Sequence, residues 1–263
     1  MSRQKLGQHF LANPAWLARI IKFLPVAPDA TWLEIGAGHG EMTEFLARFA
    51  HRVIAVETDA SLARRLRERA TLWPNVQIVH ADILKLDLHA LIENKFFIYG
   101  NLPYYITSPI LHHLFQFADK IHSIHIVVQL EVAARIAAQP GRRDYGYLSA
   151  FCQFYADPLV LLRIPPGAFR PPPKIFSALV QMRLPGQRTA LDVAEDAAFL
   201  KFLQKSFAQK RKTIRNNLRA IYGEVRVETA LATCNLNSHT RAEELSLPKF
   251  AALFNLLHAN SKL

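Results

Sequence analysis

The sequence predicts an α/β fold, with a mostly parallel seven-stranded sheet followed by a small all-helical region. Apolar strand-like segments alternate with helix-like segments up to residue 184. A glycine-rich turn, Gly36-Ala37-Gly38-His39-Gly40, joins an early strand to a helix. Beyond Pro185, apolar residues recur only at helical spacing. We therefore predict two domains, 1–185 and 186–263.

Each predicted strand is a short run rich in apolar and β-branched residues. The strand-like segments are 32–35, 52–57, 76–79, 96–99, 124–128, 159–164 and 178–184. Between them, helix-like segments lie near 14–24, 41–50, 59–71, 106–117, 130–138 and 145–156. No obvious helix separates the last two strands, so we expect these two strands to pair antiparallel.

The first strand contains Glu34 and runs into the glycine-rich turn. Glycines allow a ligand to approach the backbone closely, and the following helix offers free N–H groups. The spacing is Gly-x-Gly-x-Gly, which differs from the Gly-x-Gly-x-x-Gly of dinucleotide sites. We therefore expect Gly36 and Gly38 to face a ligand that has no pyrophosphate.

Two later strands lead to acidic residues that can face the same crevice. Glu57 ends the segment 52–57, about twenty residues beyond the first glycine, where a carboxylate can bind both hydroxyls of a ribose. Asp82-Ile83 follows 76–79 and offers an acceptor for an adenine amino group beside an apolar wall. Either acid alone could be a solvated carboxylate at a strand end. Their order along the chain favours a site at the carboxyl edge of the sheet.

Asn101-Leu102-Pro103-Tyr104 follows the apolar run 96–99 and contains the groups needed to hold a planar amine. The N6 lone pair of adenine is delocalised into the ring, so acceptors for its N–H bonds are needed before nitrogen becomes nucleophilic. The Asn101 oxygen can be one acceptor and the Leu102 carbonyl the other, because Pro103 favours an extended residue before it. Tyr104 can stack on the base. An ordinary turn would use the same residue types.

These motifs, taken together, resemble the KsgA/RsmA family of small-subunit ribosomal RNA adenine dimethyltransferases. The segments that carry the resemblance are 7–11, 34–40, 56–59, 81–84, 101–104, 169–177 and 209–218. They cover essentially the whole chain, and their combination is highly specific although each piece alone is not. The resemblance implies a Rossmann-like class I methyltransferase domain that uses S-adenosylmethionine (SAM), with a helical C-terminal domain that binds RNA or the ribosome.

The family implies SAM-dependent N6,N6-dimethylation of two adjacent adenosines near the 3′ end of 16S rRNA during small-subunit biogenesis. Such a reaction needs in-line positioning and acceptors for charge, with no metal and no strong base. The candidate cofactor-binding residues are His9, Leu11, Glu34, Gly36, Gly38, Glu57, Asp82, Ile83 and Asn101. Many family members have Asn at the position of His9, and often Lys at the position of Leu130.

Phe169 lies in the proline-rich loop 165–173 and can sandwich a flipped adenine against Tyr104. Its alternative role is an apolar staple beneath a stiff loop. The candidate catalytic residues are therefore Asn101, Leu102, Pro103, Tyr104 and Phe169.

The charge of the chain suits an RNA partner. There are 32 Lys and Arg residues against 21 Asp and Glu, a net charge of +11. Between Phe199 and Tyr222, basic and apolar residues occupy different faces in helical phase, with a kink near Gln209. A solvated helix face is the alternative. The candidate RNA-binding residues are Lys205, Lys210, Arg211, Lys212, Arg215 and Arg219.

Other features argue against a membrane or metal protein. No apolar run approaches the length that spans a bilayer, and residues 1–5 lead into the first motif without a signal-like segment. Cys152 and Cys234 lie far apart without metal-type spacing. We expect a cytoplasmic, reduced, monomeric protein whose partner is 16S rRNA in the immature small subunit.

Three alternative functions remain open from the sequence. Large-subunit rRNA adenine methyltransferases share the SAM core but usually differ at Leu102 and in the helical tail. DNA adenine and protein glutamine methyltransferases commonly have Pro at that position. A non-catalytic ribosome-assembly or RNA-binding factor could retain the fold, although intact Asn101, Tyr104, Glu57 and Asp82 favour catalysis.

Overall fold

The structure is a computed structural model that describes residues 9–25 and 28–258. The described residues do not include Gly7 and Gln8 of the first motif. They also do not include residues 1–5, for which the sequence predicts no signal-like segment. The strands are β1 (Phe10–Leu11), β2 (Thr31–Ile35), β3 (Arg52–Glu57), β4 (Val76–His80), β5 (Phe96–Asn101), β6 (Ile121–Gln129), β7 (Asp157–Ile164), β8 (Phe169–Arg170) and β9 (Ser177–Arg183). The helices are α1 (Pro14–Ile21), α2 (Glu41–Ala47), α3 (Ala60–Ala70), α4 (Leu88–Leu91), α5 (Thr107–Leu114), α6 (Leu130–Ala137), α7 (Tyr147–Tyr155), α8 (Asp196–Ser206), α9 (Ile214–Tyr222), α10 (Glu224–Thr233) and α11 (Leu247–His258).

Seven strands form one sheet in the order β4-β3-β2-β5-β6-β9-β7. The pairs from β4 to β6 are parallel, whereas β9 runs antiparallel to β6. Central strands are buried on both faces, and Trp32, Leu33, Val53 and Ile54 have no exposed surface. The predicted mostly parallel seven-stranded sheet is confirmed, and β7 and β9 are neighbours in it.

A second, two-stranded sheet joins the N-terminal arm, residues 9–13, to the proline-rich loop 165–173. β1 pairs antiparallel with β8, with Leu11 opposite Phe169. The carbonyl of Ala168 also accepts hydrogen bonds from the backbone N–H groups of Ala12 and Asn13, both at 3.2 Å. This pairing was not predicted, because two-residue strands have no periodic pattern that a sequence can reveal.

The chain forms two compact units that are not contiguous in sequence. One contains the described residues up to Ala133 together with Pro158–Leu184, and the other contains Ala134–Asp157 and the described residues from Pro185 onward. Residues 134–157 thus differ from the predicted linear division at residue 185. The reason is apolar packing, since Phe154 of α7 is fully buried in the helical unit's core.

The helical unit buries a largely aromatic core, in which Phe199, Phe202 and Phe250 are at most 1% exposed. The helical phase predicted between Phe199 and Tyr222 is divided between α8 and α9, separated by residues 207–213. The Asn217 side chain donates to the carbonyl of Ser206 at 2.7 Å, which ties the start of α9 to the end of α8. The break is therefore hydrogen-bonded, where the sequence indicated only a kink. No helix in the described ranges is both long and apolar enough to cross a bilayer.

Candidate active site

The glycine-rich turn follows β2 and forms the floor of a cleft at the carboxyl edge of the sheet. Gly36, Gly38 and Gly40 have φ values of +72°, +58° and +87°, which residues with a Cβ rarely adopt. A Cβ on Gly40 would approach the Leu66 side chain to 2.4 Å, so α3 can pack closely only against glycine there. The carbonyl of Val56 accepts the N–H groups of Gly36 and Ala37, which ties the turn to β3.

Glu57, the last residue of β3, is fixed beside this turn. Its Oε2 accepts the Gly38 N–H at 2.9 Å, and its Oε1 accepts the Asp59 N–H at 2.8 Å. The side chain is 3% exposed, yet Glu57 and Thr58 line the cleft. Each carboxylate oxygen has a further lone pair, so the group can still accept hydrogen bonds from ligand hydroxyls.

Asn101 ends β5 with its side-chain amide held in one orientation. Its Nδ2 donates to the carbonyl of His9 at 2.8 Å. Because that carbonyl can only accept, the nitrogen of the amide points toward His9 and the side-chain oxygen stays available as an acceptor. The orientation is compatible with the acceptor role predicted for Asn101, and that role stays a prediction.

Leu102, whose carbonyl is the second predicted acceptor, is held by its backbone. Its N–H donates to the Val127 carbonyl at 3.1 Å, and its side chain is 2% exposed. Within the described part of the chain, no hydrogen-bond donor contacts the Leu102 carbonyl oxygen. The Pro103 carbonyl accepts the Ile106 N–H at 3.2 Å, which turns the chain into α5. Leu102, Pro103 and Asn101 all line the cleft.

Tyr104 completes this wall of the cleft. Its hydroxyl hydrogen-bonds the Ser177 Oγ at 2.9 Å, and partial burial raises the pKa of the phenol. The His9 ring lies 5.8 Å from the Tyr104 ring, and its Nδ1 donates to the Pro171 carbonyl at 2.7 Å. The arm, the strand end and the proline-rich loop are thus joined around the cleft.

The cleft has two parts that share Phe10, Gly36 and Asn101. The first part is lined by His9, Phe10, Gly36, Glu57, Thr58, Asn101, Leu102, Pro103 and Tyr104. The second is lined by Phe10, Leu11, Leu17, Glu34, Gly36, Ala37, Glu41, Met42, Tyr99 and Asn101. Phe10, Gly36 and Asn101 therefore border both the Glu34 part and the Leu102 part of the site.

Comparison with known proteins identifies the family. Residues 1–259 match the family model described as ribosomal RNA adenine dimethylase. The chain belongs to this family. Ribosomal RNA small subunit methyltransferase A of Acidobacterium capsulatum is 43% identical to it, covering 98% of this chain and 92% of that protein. The protein of the same name from Koribacter versatilis is 42% identical, with 97% and 94% covered.

Solved structures agree with this family assignment. The crystal structure of the 23S rRNA methyltransferase ErmE is 29% identical, with a TM-score of 0.72, and covers 94% of this chain and 99% of that one. A dimethyladenosine transferase from Plasmodium falciparum has a TM-score of 0.77 at 22% identity, covering 93% and 96%, which shows the shared fold. The Rossmann-like methyltransferase fold predicted from the sequence is confirmed.

Members of the ribosomal RNA adenine dimethylase family use SAM, and the cleft of this protein fits that cofactor. Gly36 lines both parts of the cleft, and the Phe10 ring covers Gly38 so closely that a Cβ there would come within 3.0 Å of it. Polar groups lie at both ends, with the Glu57 carboxylate in the first part. In the second part, the buried Tyr99 hydroxyl has no hydrogen-bond partner among the described residues and stands with Glu34.

Not every residue predicted for this dimethylase site lines the cleft. Phe169 is 2% exposed and packs in the apolar core of its unit, because β8 pairs with β1 and turns the ring inward. Without a base in the site, Phe169 packs as an apolar staple, and the sandwich of a flipped adenine between Phe169 and Tyr104 stays a prediction. Asp82 caps a short 3-10 helix by accepting the Leu84 N–H at 3.1 Å, and Ile83 is buried. Neither lines the cleft.

Phe10 and Thr58 are cleft residues that the sequence analysis did not select. Phe10 lines both parts, and its ring lies 4.7 Å from that of His39 in the glycine-rich turn. The family motif at 7–11 contained the only available signal for Phe10. For Thr58, the signal was its position directly after Glu57 at the end of β3.

The predicted RNA-binding cations all lie in the helical unit, but they are not equivalent. Five of them are exposed: Lys205, Lys210, Arg211, Lys212 and Arg219. Arg215 is different, because its guanidinium forms ion pairs with Glu224 and, at 2.6 Å, with Glu228. Its charge is paired with two carboxylates within the unit, and a contact between Arg215 and RNA stays a prediction.

Glu34 has an environment that should give the stability a distinct pH dependence. Burial raises its pKa to about 8, while a 2.6 Å hydrogen bond from the Thr43 hydroxyl lowers it and the Glu41 and Glu57 charges raise it. The folded protein therefore keeps a proton that the unfolded chain releases near pH 4.5.

We expect this difference to reduce the free energy of unfolding as pH rises from about 5 to about 8, by at most about 5 kcal/mol. The reduction should level off above pH 8, where both states are ionised. Glu34→Gln keeps an acceptor for Thr43 and has no proton to lose, so its stability should not show this component. Denaturant unfolding of both proteins from pH 5 to 9 measures the difference. If the free energies of unfolding of the two proteins changed in parallel with pH, the elevated pKa of Glu34 would be contradicted.

Proposed function

We propose that this protein transfers methyl groups from SAM to N6 of two adjacent adenosines near the 3′ end of 16S rRNA. The observation that carries the proposal is the pair of acceptors at Asn101 and Leu102. The Asn101 amide is oriented by the His9 carbonyl, and both acceptors line a cleft that also contains Glu57. The family membership and the small-subunit enzymes at 42% and 43% identity support the same substrate.

In this proposal the side chains hold and orient the adenine amine. SAM, when bound, supplies an electrophilic methyl group. The Asn101 side-chain oxygen and the Leu102 carbonyl accept the two N–H bonds of N6, which favours a tetrahedral nitrogen with its lone pair directed away from them. Pro103 fixes the backbone between the acceptors and Tyr104. Tyr104, held by Ser177, stacks on one face of the flipped base.

The same proposal assigns the cofactor to the cleft floor. Glu57 would accept the ribose hydroxyls, because its oxygens are fixed by two backbone N–H groups and keep free lone pairs. Gly36 and Gly38 would let the cofactor lie against the backbone. The second part of the cleft, with Glu34 and Leu11, would take the amino-acid end. His9 would contact the cofactor through its backbone, and Asp82 would accept the adenine amino group beside the apolar side chain of Ile83.

We also infer that the physiological partner is the immature small subunit, bound in the cytoplasm by a monomer. The exposed cations of the helical unit support this inference, because they can contact RNA phosphates although methyl transfer itself does not need them.

The proposal is tested by incubating the protein with radiolabelled SAM and small subunits that lack this modification. We expect label on two adjacent adenosines near the 3′ end, two methyl groups on each. Label on large-subunit rRNA would instead favour an ErmE-like reaction. Binding to the subunit without any transfer would favour a non-catalytic assembly factor.

Reversing exposed charges in the helical unit should weaken subunit binding. The combined change of Lys205, Lys212 and Arg219 to Glu removes up to three interactions with RNA phosphates. The slope of log affinity against log salt should therefore flatten by about 0.7 to 0.9 for each phosphate that is no longer neutralised. Binding measured between 50 and 300 mM salt, roughly the range in which such slopes are read, gives the comparison.

A matched control makes the same change in charge elsewhere. Arg64, Arg65 and Arg67 are exposed on α3 of the other unit, and their change to Glu alters the net charge equally. We expect a near-normal slope for this variant. Equal flattening in both triple variants would mean that net charge, and no particular surface, determines binding.

A further inference from the structure

Phe176 is an exposed aromatic residue near the cleft that the proposed reaction does not use. Its side chain is 38% exposed. It directly precedes Ser177, whose hydroxyl holds Tyr104, and its carbonyl accepts the Leu130 N–H at 3.0 Å. Ser177 pairs with Gln129 at the end of β6, so Phe176 lies at the same edge of the sheet as Asn101.

Arg163 stacks on this ring. Its guanidinium carbon lies 4.0 Å from the centre of the Phe176 ring, and Arg163 is itself exposed. A guanidinium over an aromatic face is attracted by the ring quadrupole, which limits the ring's freedom before any ligand arrives. Aromatic rings and guanidinium planes are the two surfaces on which proteins stack unpaired nucleobases.

The charge around Phe176 also fits RNA. The segment 158–191 contains no Asp or Glu, and three of its cations, Arg163, Arg170 and Lys174, are exposed near the ring along the chain. Glu131 is an exposed acid that follows Leu130, whose N–H donates to the Phe176 carbonyl. A polyanion with exposed bases is therefore complementary to this surface, whereas an acidic peptide without aromatic faces would leave the ring unused.

We propose that Phe176, stacked on Arg163, is a platform for a nucleotide that flanks the target adenosine. The proposal rests on the proposed function, because it places a neighbouring base of the same RNA strand outside the Asn101 cleft. Arg170 and Lys174 neutralise the phosphates on either side. Phe176 is thus a positioning residue, which holds the strand so that the adenosine reaches the acceptors.

The test compares Phe176→Ala, Phe176→Trp and Ile175→Ala. Ile175 is the matched control, because it is 43% exposed, apolar and adjacent in sequence but has no π-face. With unmethylated small subunits as substrate, Phe176→Ala should raise the KM by about 5- to 150-fold, the range for losing one stacked base. Its kcat at saturating subunits should change little. Phe176→Trp should keep a wild-type KM, and Ile175→Ala should lie within about twofold of wild type.

The thermal midpoint and the SAM affinity of each variant separate this role from a folding defect, and both should match wild type. A wild-type KM for Phe176→Ala would overturn the platform. An equal rise in KM for Ile175→Ala, with no recovery in Phe176→Trp, would also overturn it and would favour an apolar protein contact. If the wild-type protein itself transfers no methyl groups to small subunits, the proposed function fails, which is distinguishable from either result.

Discussion

Asn101→Ala is expected to lower methyl transfer by at least about 100- to 1,000-fold, the usual cost of removing one oriented group that stabilises a transition state. The variant loses the side-chain oxygen that would accept an N–H bond of N6, and the Leu102 carbonyl alone cannot hold the amine tetrahedral. Affinity for SAM and for the small subunit should be largely retained. Single-turnover transfer with saturating SAM measures the chemical step directly.

Asn101 also donates to the His9 carbonyl, so the variant releases one hydrogen bond between the arm and β5. Calorimetric SAM binding therefore accompanies the kinetics, and it separates loss of the acceptor from loss of the cofactor. Tyr105→Ala is the matched control, since Tyr105 is in the same turn, is 74% exposed and does not line the cleft. Near-normal turnover in Asn101→Ala would rule out the assigned role.

The sheet and the glycine-rich turn could be predicted because their signals are local. Buried parallel strands are short apolar runs, and a turn with three positive-φ residues requires glycine at Gly36, Gly38 and Gly40. The same local logic placed Glu57 and Asn101 at strand ends. In an open sheet, strand ends meet at one edge, so the sequence also predicted that these two residues line one cleft.

The remaining features of the site depend on contacts between distant segments. The hydrogen bond from Asn101 to His9 joins residues 92 positions apart, and it fixes which atom of the amide remains an acceptor. Phe169 was assigned to base stacking because an aromatic residue in a stiff loop suits that role. Its burial follows from the pairing of β8 with β1, which neither segment encodes alone.

In the helical unit, the environment of Arg215 also depends on a contact that its local sequence does not reveal. Helical phase placed it on a basic face with Lys212 and Arg219, and that local inference was sound. Its partners, Glu224 and Glu228, lie on the next helix, α10, so the ion pairs depend on how α9 packs against α10. The net positive charge of this helix face is therefore smaller than the basic residues on α9 alone indicate.

Glu57→Gln is the second change for which we expect a large effect, on cofactor affinity. The carboxylate accepts two backbone N–H groups, and a glutamine side chain has only one oxygen with which to do so. Its NH₂ would face either the Gly38 or the Asp59 N–H, so one buried donor loses its acceptor at a cost of about 1–3 kcal/mol. Charge-assisted bonds to the ribose would be lost as well, and SAM affinity should fall by about 100-fold.

Two causes of that loss can be separated, because Glu57 both braces the glycine-rich turn and faces the proposed ribose position. A SAM analogue that lacks the ribose hydroxyls should bind the wild-type protein far more weakly than SAM does. If Glu57 binds those hydroxyls, Glu57→Gln should bind SAM and the analogue with similar affinities. The difference between the two affinity ratios, wild type against variant, is the coupling that a double-variant cycle measures. If the variant still discriminates as strongly as wild type, Glu57 only braces the turn. Glu68→Gln, at an exposed position on α3, provides the baseline for both titrations.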